Sequence, residues 1–358
     1  MSSSRDATFR PLTAPDELER RDRFIARWDL DKTYLRTDFD TLRDLLRTAI
    51  ERPDQKRTVP GAAALLRELG RAGVETHILS GSPEQLRSRI EEKLRLDGVR
   101  YASLTLKPNL ENLLRLRFRA LRGQLGYKLP ALLLRRCEMG IQRDASGALV
   151  QEVLLGDDAE ADAFVYCLYG DVCRGQVDAE TLAEVLREGG AYDDSIRDCV
   201  NFAKYIEKGD VVQRVLIHLD RQSSPSEFRA YGTRVVPFYN YLQAAFVLYE
   251  DGRLPPESVL AVATDLVIVQ NFERSTLARS YLDLCRRGHL RGARLDELSA
   301  ALDRLVALRR APAASELVAM IDGIRQAERL EQTAVEPTPI DYRVLVSHHN
   351  PRRKRRKR

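Results

Sequence analysis

Short apolar runs alternate with longer amphipathic segments through the first 250 residues of the chain. Short apolar runs are typical of buried strands, and apolar residues at helical spacing are typical of helices that cover a sheet. Strands that alternate with helices predict an α/β fold with a parallel sheet. The predicted strands are 23–29, 74–80, 101–107, 153–155 and 213–220.

Helical patterns fill the intervals between these strands. Ser82 and Pro83 are expected to cap and open the helix after the second strand, because serine favours the N-cap and proline the first turn. From residue 255 onward only helices are predicted, and we expect a small bundle packed on the α/β part. The predicted helices are 36–60, 60–70, 109–123, 128 onward, 179–187, 195–205, 238–250, 255–270, 274–287, 294–309 and 313–330.

These patterns divide the chain into four parts. A polar N-terminus at 1–20 is expected to be disordered, and the α/β domain follows at 21–252. A helical insertion at 163–210 interrupts that domain before its last predicted strand. The helical bundle spans 253–332, and a basic tail at 333–358 is expected to be disordered.

The net charge of +5 comes from the tail and not from the body of the chain. Arg352 to Arg358 is an unbroken run of seven basic residues, and without it 51 basic residues face 53 acidic ones. Such a tail is attracted to the phosphates of nucleic acid or of anionic lipid. It can equally be a solubilising terminus with no dedicated partner, and the sequence leaves both interpretations open.

Composition excludes several classes of protein. No apolar stretch approaches the roughly 20 residues that a membrane-spanning helix needs, so no transmembrane segment is expected. The N-terminus lacks the apolar core of a signal peptide. The five cysteines show no metal-ligand spacing and are expected to be buried thiols. An odd number of cysteines fits a reducing compartment, so we expect a cytoplasmic protein.

Polar residues follow the predicted strands at the edge where parallel α/β sheets build their sites. Taken alone, an Asp-x-Asp pair is usually a solvated loop and a Gly-Asp pair is usually a turn. Their joint order favours a catalytic site. The residues are Asp29, Asp31 and Thr33 after the first strand, Ser80 at the end of the second, Lys128 at the start of a helix, and Gly156–Asp157 with Asp162 after the fourth.

In this order the residues resemble the four motifs of the haloacid dehalogenase (HAD) superfamily. Within it, the chain is most similar to the catalytic domain of the actin-patch type of phosphatidate phosphatase. That similarity lies in Leu79–Pro83 with Gln85–Leu86, in the spacing from Asp157 to Asp162, and in Phe238–Ala245. It covers roughly residues 21–250. The chain departs from the pattern at Arg27, where an apolar residue is usual, and in the length of 163–210.

The resemblance implies phosphoryl transfer to Asp29 and then hydrolysis of the acyl phosphate. Asp31 is implied as the general acid and base. The other implied roles are a hydrogen bond from Ser80 to the phosphate, a positive charge from Lys128, a fixed Asp29 loop through Thr33, and Mg²⁺ held by Asp29, Asp157, Asp162 and the carbonyl of Asp31, with Asp158 as a further candidate ligand.

The expected fold is therefore a Rossmann-like three-layer HAD sandwich with a parallel sheet, a minimal cap and a C-terminal all-α region. The expected function is that of a magnesium-dependent HAD-type phosphatase, a hydrolase of phosphomonoesters such as phosphatidate or another lipid phosphate. The alternatives are a phosphatase of nucleic-acid ends or of a phosphoprotein, tethered by the basic tail, and a non-catalytic scaffold with the same fold.

The spacing between the motifs leaves little room for a cap domain. Asp29 and Ser80 lie 51 residues apart, and Ser80 and Lys128 lie 48 residues apart. The predicted core strands and helices use most of both intervals. We therefore expect an exposed site, which suits a large or surface-bound substrate, with 163–210 as the one segment that could act as a lid.

Overall fold

Six strands form one all-parallel sheet in the computed structural model, which describes residues 23–35, 58–107, 121–138, 142–292, 294–327 and 339–349. The order in the sheet is β3-β2-β1-β4-β5-β6, so β1 lies between β2 and β4. The strands are β1 Phe24–Asp29, β2 Glu75–Pro83, β3 Ser103–Lys107, β4 Gln151–Asp157, β5 Val212–His218 and β6 Val235–Phe238. The predictions for 1–20, for 36–57, for most of the helix at 109–123 and for the run at 352–358 fall outside the described residues.

Thirteen α-helices accompany the sheet in the described parts of the chain. Two short 3₁₀ helices, Glu84–Leu86 and Pro225–Tyr231, follow β2 and β5. The α-helices are α1 Ala62–Arg71, α2 Arg87–Leu96, α3 Leu121–Leu125, α4 Lys128–Glu138, α5 Asp162–Arg174, α6 Ala179–Glu188, α7 Asp193–Tyr205, α8 Tyr241–Glu250, α9 Pro256–Ile268, α10 Arg274–Arg286, α11 Leu295–Ala307, α12 Ala314–Gln326 and α13 Tyr342–His349.

Each face of the sheet is covered by its own apolar core. Successive residues of a strand point to opposite faces, so Ala26 and Trp28 of β1 join one core together with α1, α8 and α9. Leu154 of β4 and Ile217 of β5 join the other, which contains α4, α5 and α6. Helices on both faces of a parallel sheet confirm the α/β class and are consistent with a Rossmann-like arrangement.

The region predicted as a helical bundle is helical and packs on the first face of the sheet. Helix α9 contacts α1, α8 and α11, and α12 contacts both α10 and α11. Ser258 donates a hydrogen bond of 2.8 Å to the buried Glu68 of α1. These helices share one continuous core with the α/β part and do not enclose a separate one.

The insertion at 163–210 belongs to the second helical layer. It contains most of α5 and all of α6 and α7, and α5 packs directly on β4 and β5. Nearly every residue of α5 is buried. The prediction that this segment could act as a lid is therefore wrong, because its apolar residues already cover the sheet.

The tail predicted to be disordered at 333–358 contains α13, so that prediction is wrong over 342–349. Helix α13 packs against α6 on the second face. Its Tyr342 and Val346 are buried, and the Tyr342 hydroxyl donates a hydrogen bond of 2.5 Å to Asp171. The helix is only eight residues long, too short for a helical period to stand out among its apolar residues, which explains the error.

Two local predictions also need correction. Strand β2 continues to Pro83, so Ser82 caps no helix, and α2 begins at Arg87 after one 3₁₀ turn. The helix predicted from residue 238 begins at Tyr241, because Phe238 ends a sixth strand that periodicity did not reveal. In the described parts of the chain, no helix combines the length and the apolar character that crossing a membrane requires.

Candidate active site

The ends of three neighbouring strands bring the predicted residues to one edge of the sheet. Asp29 ends β1, Ser80 lies near the end of β2, and Asp157 ends β4. Strand β1 pairs with both other strands, so these three positions are neighbours. Lys128 opens α4 and points its amine into the same place. The side chains of Asp29, Ser80, Asp157 and Lys128 are all buried, as is Thr33.

Three carboxylates converge at this edge. Asp29, Asp157 and Asp162 each offer an oxygen, and these oxygens lie within 4.8 Å of one another. Asp162 is the first residue of α5, and its Oδ2 accepts a hydrogen bond of 3.1 Å from the backbone N–H of Asp157. Gly156 makes this approach possible, because a Cβ there would lie only 2.7 Å from the Cβ of Asp162. Burial raises the pKa of Asp29 and of Asp157 well above the ordinary value of an aspartate.

Lys128 makes three ion pairs with carboxylates. Its Nζ lies 3.0 Å from Oδ1 of Asp29, 2.5 Å from Oδ1 of Asp162 and 2.8 Å from Oε2 of Glu160. Burial alone lowers the pKa of Lys128, but Asp162, Asp29 and Glu160 together raise it well above its ordinary value. The lysine therefore carries a fixed positive charge next to the Asp29 carboxylate.

Asp31 lies apart from the three converging carboxylates. Its side chain accepts a hydrogen bond of 2.9 Å from Ser80 Oγ and one of 3.2 Å from Ser82 Oγ. Burial, and then the charge of Glu160, raise the pKa of Asp31 above its ordinary value. A carboxyl group that holds its proton more tightly is suited to act as a general acid. The role given to its backbone carbonyl as a metal ligand stays a prediction.

Side-chain contacts hold the loop after β1 in place. Thr33 Oγ1 lies 3.4 Å from Oδ2 of Asp29 as a hydrogen-bond donor, and the Tyr241 hydroxyl donates to the Thr33 carbonyl. The Tyr241 ring stacks on Trp28 with 5.6 Å between ring centroids. Lys32 has a φ of +59°, a left-handed conformation that turns the chain sharply between Asp31 and Thr33. The predicted role of Thr33 in holding the Asp29 loop agrees with these contacts.

Asp158 is placed outside the converging carboxylates. Its Oδ1 accepts a hydrogen bond of 2.8 Å from the backbone N–H of Arg221, and its Oδ2 one of 3.0 Å from that of Ser223. Both oxygens therefore fix the loop after β5. This position does not support Asp158 as a metal ligand.

Three residues near the site were missed from the sequence. Glu160 pairs with Lys128, and its only signal was the density of acids in 157–162. Tyr127 donates a hydrogen bond of 2.9 Å to the carbonyl of Ser80. Lys107 ends β3, its Nζ lies 5.2 Å from the centre of the Tyr127 ring, and burial lowers its pKa to about 8. Its place at the end of a predicted strand could have identified it.

Other candidate residues stay outside this site. Cys167, Cys173 and Cys199 are buried free thiols as predicted, whereas Cys137 and Cys285 are half-buried. His77, expected in the core, is half-buried too and bonds to Ser103 and Glu75. His348 and His349 belong to α13 and not to an unstructured tail.

The donor set at this edge fits a hard divalent cation such as Mg²⁺. Magnesium prefers carboxylate oxygens, and three are brought together here. Oδ2 of Asp157 is buried and accepts no hydrogen bond from the described residues, which leaves it available as a ligand. With all groups ionised, Asp29, Asp157, Asp162 and Glu160 exceed the charge of Lys128 by three negative charges. A divalent cation would offset most of this excess.

Comparison with known protein families, with curated proteins and with solved structures gives no match for this chain. The class of this protein therefore has to be argued from its fold and from the residues of its site. It is an α/β protein whose parallel sheet carries a buried lysine and converging carboxylates at its carboxyl edge.

Proposed function

We propose that this protein is a magnesium-dependent phosphomonoesterase that works through an aspartyl-phosphate on Asp29. One observation carries the proposal. The ammonium of Lys128 contacts Asp29 and Asp162 while an oxygen of Asp157 lies within 4.8 Å of both carboxylates. A nucleophilic carboxylate, a fixed cation and further acids for a metal ion are the parts that phosphoryl transfer to an aspartate needs.

The chemistry proceeds in two displacements. The Asp29 carboxylate attacks phosphorus, the bond from phosphorus to the leaving oxygen breaks, and Asp31 gives its proton to that oxygen. Asp31 then takes a proton from a water molecule that attacks the acyl phosphate. The bond between phosphorus and Asp29 breaks, which releases phosphate and restores both carboxyl groups. The raised pKa of Asp31 supports its part in the first step.

Asp29, Asp157 and Asp162 would hold the magnesium ion. When bound, the ion offsets the charge of these acids and of the phosphoryl group. Lys128 supplies a second positive charge. Its side chain is only 1% exposed, so its attraction for the phosphoryl group is weakened little by water. Thr33 keeps Asp29 oriented. Ser80 has one hydroxyl hydrogen, which bonds to Asp31 here, and it would turn from Asp31 to donate to a phosphoryl oxygen.

The substrate class we favour is a lipid phosphate of the phosphatidate type. The two stretches that resemble the actin-patch phosphatidate phosphatases both reach this site. Ser82 in the first contacts Asp31, and Tyr241 in the second supports the loop of Asp29 through the Thr33 carbonyl. These contacts support the assignment because they give both stretches a role beside the reacting groups.

The direct test is hydrolysis of an aryl phosphate with and without MgCl₂. Asp29→Asn should abolish activity, and Asp31→Asn should lower kcat by about 10²- to 10⁴-fold. Asp178→Asn is the matched control, because Asp178 is an exposed cap of α6 and asparagine caps equally well. Acid quenching followed by mass spectrometry should find a phosphate on Asp29. Full activity of Asp29→Asn would refute the covalent route.

A panel of substrates separates the candidate classes once activity is established. Phosphatidate in mixed micelles, a phosphorylated peptide and DNA with phosphorylated ends are compared at equal concentration. We expect the highest kcat/KM with phosphatidate. A preference for the peptide or for DNA would replace the lipid assignment and would leave the phosphatase mechanism in place.

A further inference from the structure

Three carboxylates surround the ammonium group of Lys128. Its Nζ donates hydrogen bonds to Asp162 and Glu160 and lies 3.0 Å from Oδ1 of Asp29 as an ion pair. The proposed function requires this lysine to contact the phosphoryl group. A phosphate dianion that contacts Lys128 is repelled by these negative charges, and the repulsion is relieved when one of the carboxylates moves away.

The three partners of Lys128 differ in burial and in role. The side chains of Asp29 and Asp162 are 1% and 0% exposed, and both belong to the converging carboxylates. Glu160 is 15% exposed and lies outside that group. Its longer side chain reaches Lys128 from the loop between β4 and α5. Glu160 is therefore the partner that can leave with the least disturbance.

We infer that Glu160 competes with the substrate's phosphoryl oxygens for Lys128 and moves aside when a phosphate binds. This inference rests on the proposed function. A carboxylate and a phosphate dianion on one ammonium repel each other, and the repulsion is strong at a buried site. Gln124 donates a hydrogen bond of 2.6 Å to the same oxygen of Glu160. That second partner lets the carboxylate turn from Lys128 without losing every contact.

The opposite role for Glu160 would be permanent positioning of Lys128. In that case, neutralising Glu160 would misplace the lysine and weaken the binding of phosphate. In a competing role, the same change frees a donor and removes a nearby negative charge, so binding becomes tighter. The sign of the effect on phosphate affinity therefore distinguishes the two roles.

The test is Glu160→Gln, with inorganic phosphate as the probe. Calorimetric titration of the full-length protein in MgCl₂ should show about a tenfold lower Kd for phosphate, as expected when one competing charge-assisted hydrogen bond is removed. Phosphate should inhibit hydrolysis of the aryl phosphate with a Ki reduced by the same factor. Glu160→Ala should change both constants in the same direction, which guards against a new contact made by the glutamine.

Glu84→Gln is the control for general charge effects. Glu84 directly follows β2 at the same edge of the sheet, is exposed, and pairs with Arg87. Its substitution should leave the Kd of phosphate unchanged.

Unchanged or weaker phosphate binding in both Glu160 variants, in a protein whose hydrolysis depends on Asp29, would overturn this inference alone. A wild-type protein that neither hydrolyses an aryl phosphate nor binds phosphate would overturn the proposed function and this inference together.

Discussion

A buried network of charged side chains, which includes Arg27 two residues before Asp29 on β1, links four elements. Glu152 of β4 accepts hydrogen bonds from Arg27 of β1, from Arg136 of α4 at 2.8 Å and from Tyr169 of α5 at 3.0 Å. The side chains of Arg27, Arg136 and Glu152 are at most 5% exposed. Arg27 was noted from the sequence as a charge at an apolar position, and Glu152 is the reason it is tolerated.

Glu152→Ala should be among the most damaging single substitutions in this fold. It leaves two guanidinium groups buried without their shared carboxylate, and removing one partner of a buried pair costs about 3–5 kcal/mol. Glu75→Ala is the matched control. Glu75 of β2 also pairs with two groups, Arg23 at 2.7 Å and His77 at 2.8 Å, but these side chains are 18–22% exposed. Such partly shielded pairs contribute more than the roughly 1 kcal/mol of exposed pairs but less than a fully buried network, so the loss in Glu75→Ala should be clearly smaller.

The assay is urea unfolding followed by the fluorescence of Trp28, the only tryptophan in the chain, which is buried in β1 next to Arg27. Burial works against the ionised Glu152, but Arg27 and Arg136 outweigh it and hold the pKa of Glu152 below its ordinary value. The network's contribution is therefore complete above the pKa of an unfolded glutamate and declines as the pH falls through the folded value. The difference between wild type and Glu152→Ala should shrink in acid. Equal losses for Glu152→Ala and Glu75→Ala at pH 7 would refute this reasoning.

Two further substitutions test the site itself. Gly156→Ala forces the Asp162 side chain away, so the rise in Tm produced by MgCl₂ should largely disappear, whereas Gly70→Ala, with open space around its Cβ position, should keep that rise. Ser82→Ala removes a hydrogen bond that lowers the pKa of Asp31, so the high-pH limb of the rate profile, where Asp31 loses its proton, should move to higher pH. An unmoved limb would contradict the contact between Ser82 and Asp31.

The sequence predicted the sheet well where apolar runs are bounded by polar turns. Strands β1 to β5 were found because each run is short and local. Strand β6 was missed because 235–249 is apolar almost throughout, so neither a period of two nor one of 3.6 stands out. Pro83 suggested a helix start, but pairing with Lys107 of β3 extends the strand through it. That pairing lies 24 residues away in sequence, and no local signal contains it.

The candidate site shows the same division between local and distant information. Asp29 and Asp157 were expected together because strand ends of a parallel sheet share one edge, and Lys128, which opens a helix, was expected there from the resemblance. The structure places all three together. Glu160 and Asp158 are both acids in the loop after β4, and nothing in the sequence separates them. The first turns towards Lys128, and the second turns towards the backbone of 221–223. The position of the loop after β5, which is distant in sequence, therefore determines which of the two acids reaches Lys128.

The buried network and the site depend on the same register between β1 and β4. Arg27 and Asp29 lie two residues apart on β1 and therefore share one face of the sheet. Slipping β1 by one residue would move Asp29 to the opposite face, away from Asp157. The bond between Arg27 and Glu152 joins these two strands on the same face and opposes such a slip. We therefore expect a folded Glu152→Ala protein to hydrolyse an aryl phosphate with a lower kcat than wild type, although Glu152 is not one of the reacting groups. Loss of the Glu152 carboxylate removes the contact that holds the strand of Asp29 in register. A folded variant with the kcat of the wild type would contradict this.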